Sequence, residues 1–251
     1  MKKPGWPSFI ALLLLAVARP AAAQNAIFLS SGKIEFERKV NVFAQIGNAD
    51  DQWTELQRKM SNHFKTSYFD LVFTPEKSLY KPGRESGDKD NFFFVQTPAQ
   101  DNTVWSDLAH DRSVSTKNVF EQTFLVQDSL RHIRWKITDE TRTIAGFNCR
   151  RANAIIMDSI YVVAFYTDEI ITTGGPESFS GLPGMILGVS LPHQHVSWFA
   201  TKVEAIPISE SQVAAPVKGK KVDNTALKET VRGSLKDWGK TGQQYMEAIL
   251  L

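Results

Sequence analysis

The chain carries a single cysteine among 251 residues, and its formal charge is only +2. Each scarcity excludes something. One thiol, Cys149, cannot close an intramolecular disulfide, so stability must come from burial. The apolar run Phe9 to Ala18 is half of the roughly twenty residues that a membrane-spanning helix needs, which argues against a polytopic membrane protein. No internal repeat, P-loop, dinucleotide-type glycine spacing or Gly-x-Ser-x-Gly elbow is found. With 42% hydrophobic and 22% charged residues, the composition is neither disordered nor collagen-like. What the chain does have is aromatic side chains. Sixteen Phe, six Trp and five Tyr are enough to build one sizeable core.

The first residues read as an export signal. Lys2 and Lys3 precede the apolar run, and Ala21-Ala22-Ala23 offers a small-residue cleavage site before Gln24. No cysteine stands near that site, so the pattern for lipid attachment is missing. The expectation is a periplasmic or otherwise exported protein, with residues 1–23 as signal peptide and no transmembrane segment after cleavage. Removing Lys2, Lys3 and Arg19 leaves 26 basic residues against 27 acidic ones, a net of −1. A near-neutral mature chain excludes the general basic attraction that nucleic-acid binding uses. The basic residues from Lys218 onward read as a solvated helix face, with partner contact as the alternative.

Apolar residues recur mostly with a period of two. Ile34, Phe36, Val40 and Val42 alternate with Glu35, Glu37, Lys39 and Asn41, and only Arg38 interrupts the apolar face. Further strands are expected at Phe64–Phe73, Ser78–Lys81, Phe92–Gln96, Val104–Asp107, Val119–Val126 and Leu130–Ile137. Thr138 to Thr141 reads as a hairpin turn before Arg151–Met157, and Ile160–Tyr166 is apolar on both faces. Met185–Leu191 and Val196–Ile206 form another expected hairpin around Pro192 to His195. Asp50–Met60, with Trp53, Leu56 and Met60, and Asn224–Trp238, with Leu227, Val231, Leu235 and Trp238, have helical spacing. Crossover helices between successive strands are missing, which disfavours a parallel sheet. The expected fold is mainly β (α+β): a curved antiparallel sheet or partial barrel of about 8–10 strands with one or two covering helices. It divides into a β domain over 24–206 and an extended connector with an amphipathic C-terminal helix over 207–251.

The most unusual stretch runs from Gly174 to Gly184, where Leu182-Pro183 between two glycines specifies a tight turn into a strand. It is either a shaped strand entrance or a contact loop. Cys149 can be a nucleophile, an intermolecular disulfide partner or a small buried apolar residue. His193 and His195 are weak metal candidates if a strand points both to one side, and otherwise exposed turn residues. Asp168 and Glu169 are adjacent, so on a strand they face opposite ways; either one can instead cap the glycine-rich loop.

Gly181-Leu182-Pro183-Gly184-Met185-Ile186-Leu187 resembles the signature of the GLPGLI family. Upstream, Trp135-Lys136-Ile137, Asp139-Glu140-Thr141, Ile144-Ala145-Gly146-Phe147, Cys149 and the run Ala164 to Ile170 resemble the family's flanking segments. Met185 stands where Leu is usual and Phe165 where Trp is common. The resemblance implies a secreted, mostly β protein of a kind found mainly in Bacteroidota, without defined function or assigned catalytic residues. It also implies an association with outer-membrane receptor systems. The expected role is a non-enzymatic binding or accessory protein for an apolar ligand, a peptide, or an outer-membrane receptor or other envelope protein. No cofactor is expected. Candidate binding residues are Trp135, Tyr166, Gly175, Pro176, Phe179, Gly181, Leu182, Pro183 and Gly184. The alternative is a metal-dependent or cysteine hydrolase of the periplasm.

Overall fold

The computed structural model describes residues 28–46, 52–87 and 101–251. The expected leader and the expected strand Phe92–Gln96 lie outside the described residues. Twelve strands build one sheet. In chain order they are β1 (Gly32–Asn41), β2 (Phe64–Phe73), β3 (Lys77–Pro82), β4 (Thr103–Asp107), β5 (Arg112–Val119), β6 (Gln122–Asp128), β7 (Lys136–Ile144), β8 (Phe147–Ile156), β9 (Ile160–Thr167), β10 (Met185–Leu191), β11 (Val196–Glu204) and β12 (Lys220–Val222). Helices α1 (Val42–Ile46) and α2 (Gln52–Met60) lie between β1 and β2, and α3 (Asn224–Leu235) and α4 (Gly239–Leu250) follow β12.

The spatial order is β12-β6-β5-β4-β3-β2-β1-β11-β10-β9-β8-β7. Two antiparallel meanders, β2 to β6 and β7 to β11, are joined by β1, which pairs with β2 on one side and β11 on the other. Only the short β12 runs parallel to its neighbour, β6. The sheet stays open, with β12 and β7 at its edges. The mainly β, predominantly antiparallel expectation therefore holds, with more strands than the sequence pattern suggests.

Three differences from the expected strands have physical causes. The run Val119–Val126 is not one strand; it breaks at Phe120, which takes a left-handed φ of 53° between β5 and β6. Residues 129–135 are irregular, because their side chains are committed to the glycine-rich loop rather than to a ladder. Thr138 to Thr141 is not a turn but an irregular stretch within β7, where the register to β8 slips between Ile137 and Thr141. Thr138 Oγ1 donates to Arg151 O, and Glu140 pairs with Arg151, so this stretch is tied across the hairpin. The turn falls instead at Ala145-Gly146, both with positive φ, as a two-residue hairpin requires.

The face of β1 that alternation places inward buries Ile34, Phe36, Arg38 and Val40. On the same face lie Phe69 and Leu71 of β2, Tyr80 of β3, Val104 of β4, Ala200 and Trp198 of β11, Val189 of β10 and Ala164 of β9, as the residue pairings show. β9 is buried along both faces, as its unbroken apolar run demands. At the other end, Leu227, Val231 and Leu235 of α3 cover Phe124 and Val126 of β6. Each such side chain contributes about 1.5–3 kcal/mol when fully buried. Asp223 caps α3 by accepting from the Ala226 amide at 2.7 Å. Trp238, expected on that apolar face, lies beyond the helix end, half-exposed and against Phe120 and Tyr245. Leu56 and Met60 of α2 also remain exposed. The opposite face of β2 to β6 is covered by the connector after β11: Val213 packs with Leu79, Trp105 and Leu125, and its carbonyl accepts from Trp105 Nε1 at 2.7 Å.

Candidate functional site: a covered polar cluster beneath the glycine-rich loop

The glycine-rich loop follows β9 and lies over the inner face of the sheet. Thr172 Oγ1 ties its start to Thr74 O at 2.8 Å, and Gly174 O accepts from the Ile186 amide at 2.9 Å. Phe179 and Leu182 insert into the main core and are fully buried. Phe179 packs on Trp198, ring centroids 6.2 Å apart. Two glycines are dictated by contact. A Cβ on Gly184, at φ 138°, would sit 2.0 Å from Thr167 O, and one on Gly175 would sit 2.7 Å from Phe179 O. The Gly184 amide donates back to Leu182 O across Pro183 at 2.8 Å, so the tight turn is formed as the residue types specify.

The candidate residues named from sequence are thus brought together, chiefly as packing. Trp135 is half-buried and its indole N–H donates to Ser180 O at 2.9 Å. Tyr166 is buried in β9, opposite Ile186 of β10. Gly175, Pro176, Phe179, Gly181, Leu182, Pro183 and Gly184 form the body of the loop. His193 and His195 lie not on a strand but in a single 3₁₀ turn between β10 and β11, so the same-side argument for a metal pair does not apply there. Cys149 is fully buried, its Sγ directed at Phe147 O, and burial pushes its thiol up to about 12. Such a thiol is neutral at physiological pH and behaves as a small apolar group. Glu169 accepts from the Asn148 amide at 3.3 Å, so it fastens β8 rather than the glycine-rich loop.

The chemistry gathers around residues that none of those candidates includes. Arg38 of β1 faces inward, directly opposite Trp198 of β11, with its guanidinium carbon 5.6 Å from the indole centroid. Tyr80 of β3 is stacked on Phe69 at 4.8 Å and meets Phe36 edge-on. Glu177, in the loop at φ 51°, accepts from Asn102 Nδ2 at 3.0 Å through one carboxylate oxygen. Arg38, Tyr80, Glu177 and Trp198 are 5%, 1%, 2% and 1% exposed, so all four are withdrawn from water. Their electrostatic coupling shows that they share one locus: Glu177 acts on Arg38, Tyr80 and Lys117, and the Tyr80 hydroxyl stands against both Glu177 and Trp198. Burial pushes the Glu177 carboxyl and the Tyr80 phenol up and the Arg38 guanidinium down; each ionised form is disfavoured by lost hydration.

Five buried polar atoms here have no hydrogen-bond partner: Arg38 Nε and Nη1, Tyr80 Oη, Glu177 Oε1 and Trp198 Nε1. Leaving a buried donor or acceptor unpaired costs about 1–3 kcal/mol, more if it is charged. A fold does not gather such atoms at one point without something to satisfy them. Beside this cluster, three donors hold the main-chain oxygens after α4's last turn begins. Lys117 Nζ donates to Ile249 O at 2.8 Å, Arg131 Nη2 to Leu250 O, and Ser178 Oγ to Leu251 O. Arg131 Nε also donates to Ser178 Oγ at 3.0 Å, which ties the irregular segment 129–135 to the loop.

Residues 155–188 match a protein family described as Protein of unknown function (Porph_ging). The Porph_ging segment covers β9, the glycine-rich loop with Glu177, and the start of β10, so it contains the cover of the polar cluster. No curated protein matches the chain. Two solved structures of PNGF-II, in space groups P21 and C2, have the same fold at TM-scores of 0.51, with 15% and 14% identity. They align over 80% of this chain and 32% of PNGF-II, so this chain spans about a third of that protein's length. At that identity the likeness is one of fold.

Of the cluster, Arg38 had a visible signal: a cation on the apolar face of an otherwise regular alternation. Glu177 lies in a loop whose composition drew attention to its glycines. Tyr80, Asn102, Lys117 and Trp198 carry no local signal, because only the sheet order brings them to one place.

Proposed function

We propose that this chain is an exported, non-enzymatic binding protein of the GLPGLI type, acting in the bacterial cell envelope. Its ligand site is the polar cluster of Arg38, Tyr80, Glu177 and Trp198 beneath the glycine-rich loop. The observation that carries this reading is the convergence of unpaired, buried polar atoms on an otherwise apolar sheet face. An apolar ligand on that face would compete with Phe179, Leu182 and Leu251, which already fill it. The binding role is therefore assigned to a small polar molecule, with the loop as its cover. The leader-like residues 1–23 and the Gly181 to Leu187 resemblance support export and an accessory role beside envelope receptors. The buried, neutral Cys149 speaks against a cysteine hydrolase.

Native mass spectrometry of the full chain, expressed with its leader and purified from the periplasm, tests this. We expect a mature chain starting at Gln24 that carries a small non-covalent mass, lost in Arg38→Met and in Glu177→Gln. A wild-type protein that is mass-identical to the bare chain in every preparation would refute the binding role.

A further inference from the structure

Resting on that reading, we infer that the ligand of the cluster is a small organic monocarboxylate carrying a hydroxyl or ammonium group beside the carboxylate. The unpaired atoms define it. Arginine and the indole N–H can only donate, so Arg38 Nε, Arg38 Nη1 and Trp198 Nε1 require acceptors, and the Tyr80 hydroxyl adds a further donor. The missing partner is therefore rich in acceptor oxygens. One atom asks for the reverse. Glu177 Oε1 is unpaired while Asn102 serves the residue's other oxygen, so the ligand must also present one donor.

Charge narrows the class. The groups that face the locus are Arg38 from β1, Lys117 from β5 and Glu177 from the loop; Arg131 lies beyond Lys117, and the exposed Asp101 stands near Arg38. Among these described and buried groups, cations outnumber the single carboxylate. A bare metal cation would meet the wrong sign. A dianion such as phosphate would meet Glu177 at close range in a poorly screened site. A monoanion answers Arg38 without that repulsion, and charge-assisted bonds to a carboxylate are the stronger kind. The walls set the size: Phe36 and Phe69 flank Tyr80, and Phe179 closes over Trp198. No residue of the locus needs to act as acid, base or nucleophile in this role.

The test is a titration of the full mature chain at constant ionic strength, followed by calorimetry and thermal unfolding. The probes are lactate, mandelate, glycine and phenylalanine, with propionate, phenylacetate and inorganic phosphate as controls. We expect saturable binding of at least one hydroxy or amino acid. Its deoxy or deamino control should bind at least tenfold more weakly, because it leaves Glu177 Oε1 unpaired. Trp198→Phe keeps the ring and removes only the N–H, and should weaken that binding about tenfold while the protein still melts cooperatively. Glu177→Gln should erase the preference over the deoxy control. Binding of phosphate above every monocarboxylate, or of no monocarboxylate at all, overturns the ligand class. If native mass spectrometry still finds a retained small molecule in that case, the binding role stands and only the class falls. A high-resolution structure with ordered water alone on the five atoms would overturn both.

Discussion

Lys117 shows how much a single residue can impose on this fold. Its ammonium is buried beneath the sheet's inner face, where it donates to Ile249 O and feels Glu177 on one side and Arg131 on the other. Burial lowers its pKa from 10.5 to about 8. The sign of the consequence follows from proton counting. Below pH 8 the amine is charged in both the folded and unfolded chains, so the full burial cost is present. Between about 8 and 10.5 the unfolded chain holds more protons, and the native state gains stability as pH rises. Above 10.5 the penalty is gone. A shift of this size corresponds to about 3 kcal/mol at about 1.36 kcal/mol per pH unit. The difference in unfolding free energy between wild type and Lys117→Met, measured in urea from pH 7 to 10.5, should therefore move by about 3 kcal/mol in favour of the wild type. A difference that stays flat would mean that the amine is hydrated.

The loop and the last turn of α4 are two elements held by shared donors. Ser178 accepts from Arg131 and donates to Leu251 O, so one hydroxyl joins the loop, segment 129–135 and the tail. Removing it with Ser178→Ala loses about 1 kcal/mol per hydrogen bond. Local opening should become about fivefold more frequent over residues 172–184, read by hydrogen exchange, while β2 is unchanged. Exchange that rises equally in β2 would show a global loss of stability instead. This coupling also marks where sequence reading stops. The strands β1, β2, β9, β10 and β11 are legible because alternation or unbroken apolar runs give their faces directly. The turn before β10 is legible because Gly184 and Pro183 admit few conformations. β5 is hidden because Lys117 and Ser115 occupy its inward positions, and α4 because half its residues are polar. Segment 129–135 has the pattern of a strand, yet Arg131 and Trp135 are spent on the loop. Arg38 was visible as an interruption, but its meaning depends on Trp198, Tyr80 and Glu177, far from it in sequence. Periodicity cannot report a cluster assembled by sheet order.

At the scale of the molecule, the site exists only where the two meanders meet. β1 joins them, and its partners on the β11 side are distant in sequence: Lys33 pairs with Glu204 and Val40 with Val196. Each meander is made of hairpins whose pairings are local, such as Ala154 with Val162 between β8 and β9. Closing a long loop costs chain entropy before its contacts return anything, so the seam between β1 and β11 should form late in folding. The two kinds of contact can be told apart kinetically. Val162→Ala weakens a local hairpin within the C-terminal meander, and its destabilisation should appear mainly as slower folding. Val203→Ala weakens a residue whose partner across the seam is Ile34, and its destabilisation should appear mainly as faster unfolding. Chevron plots of both variants decide this, provided that each costs more than about 0.6 kcal/mol. If Val203→Ala instead slows folding as much as Val162→Ala does, the seam belongs to the nucleus. The polar cluster of Arg38 and Trp198 would then be assembled before the meanders are complete. The expected order is the reverse: the apolar hairpins form first, and the unpaired polar atoms are enclosed last, when the loop closes over them.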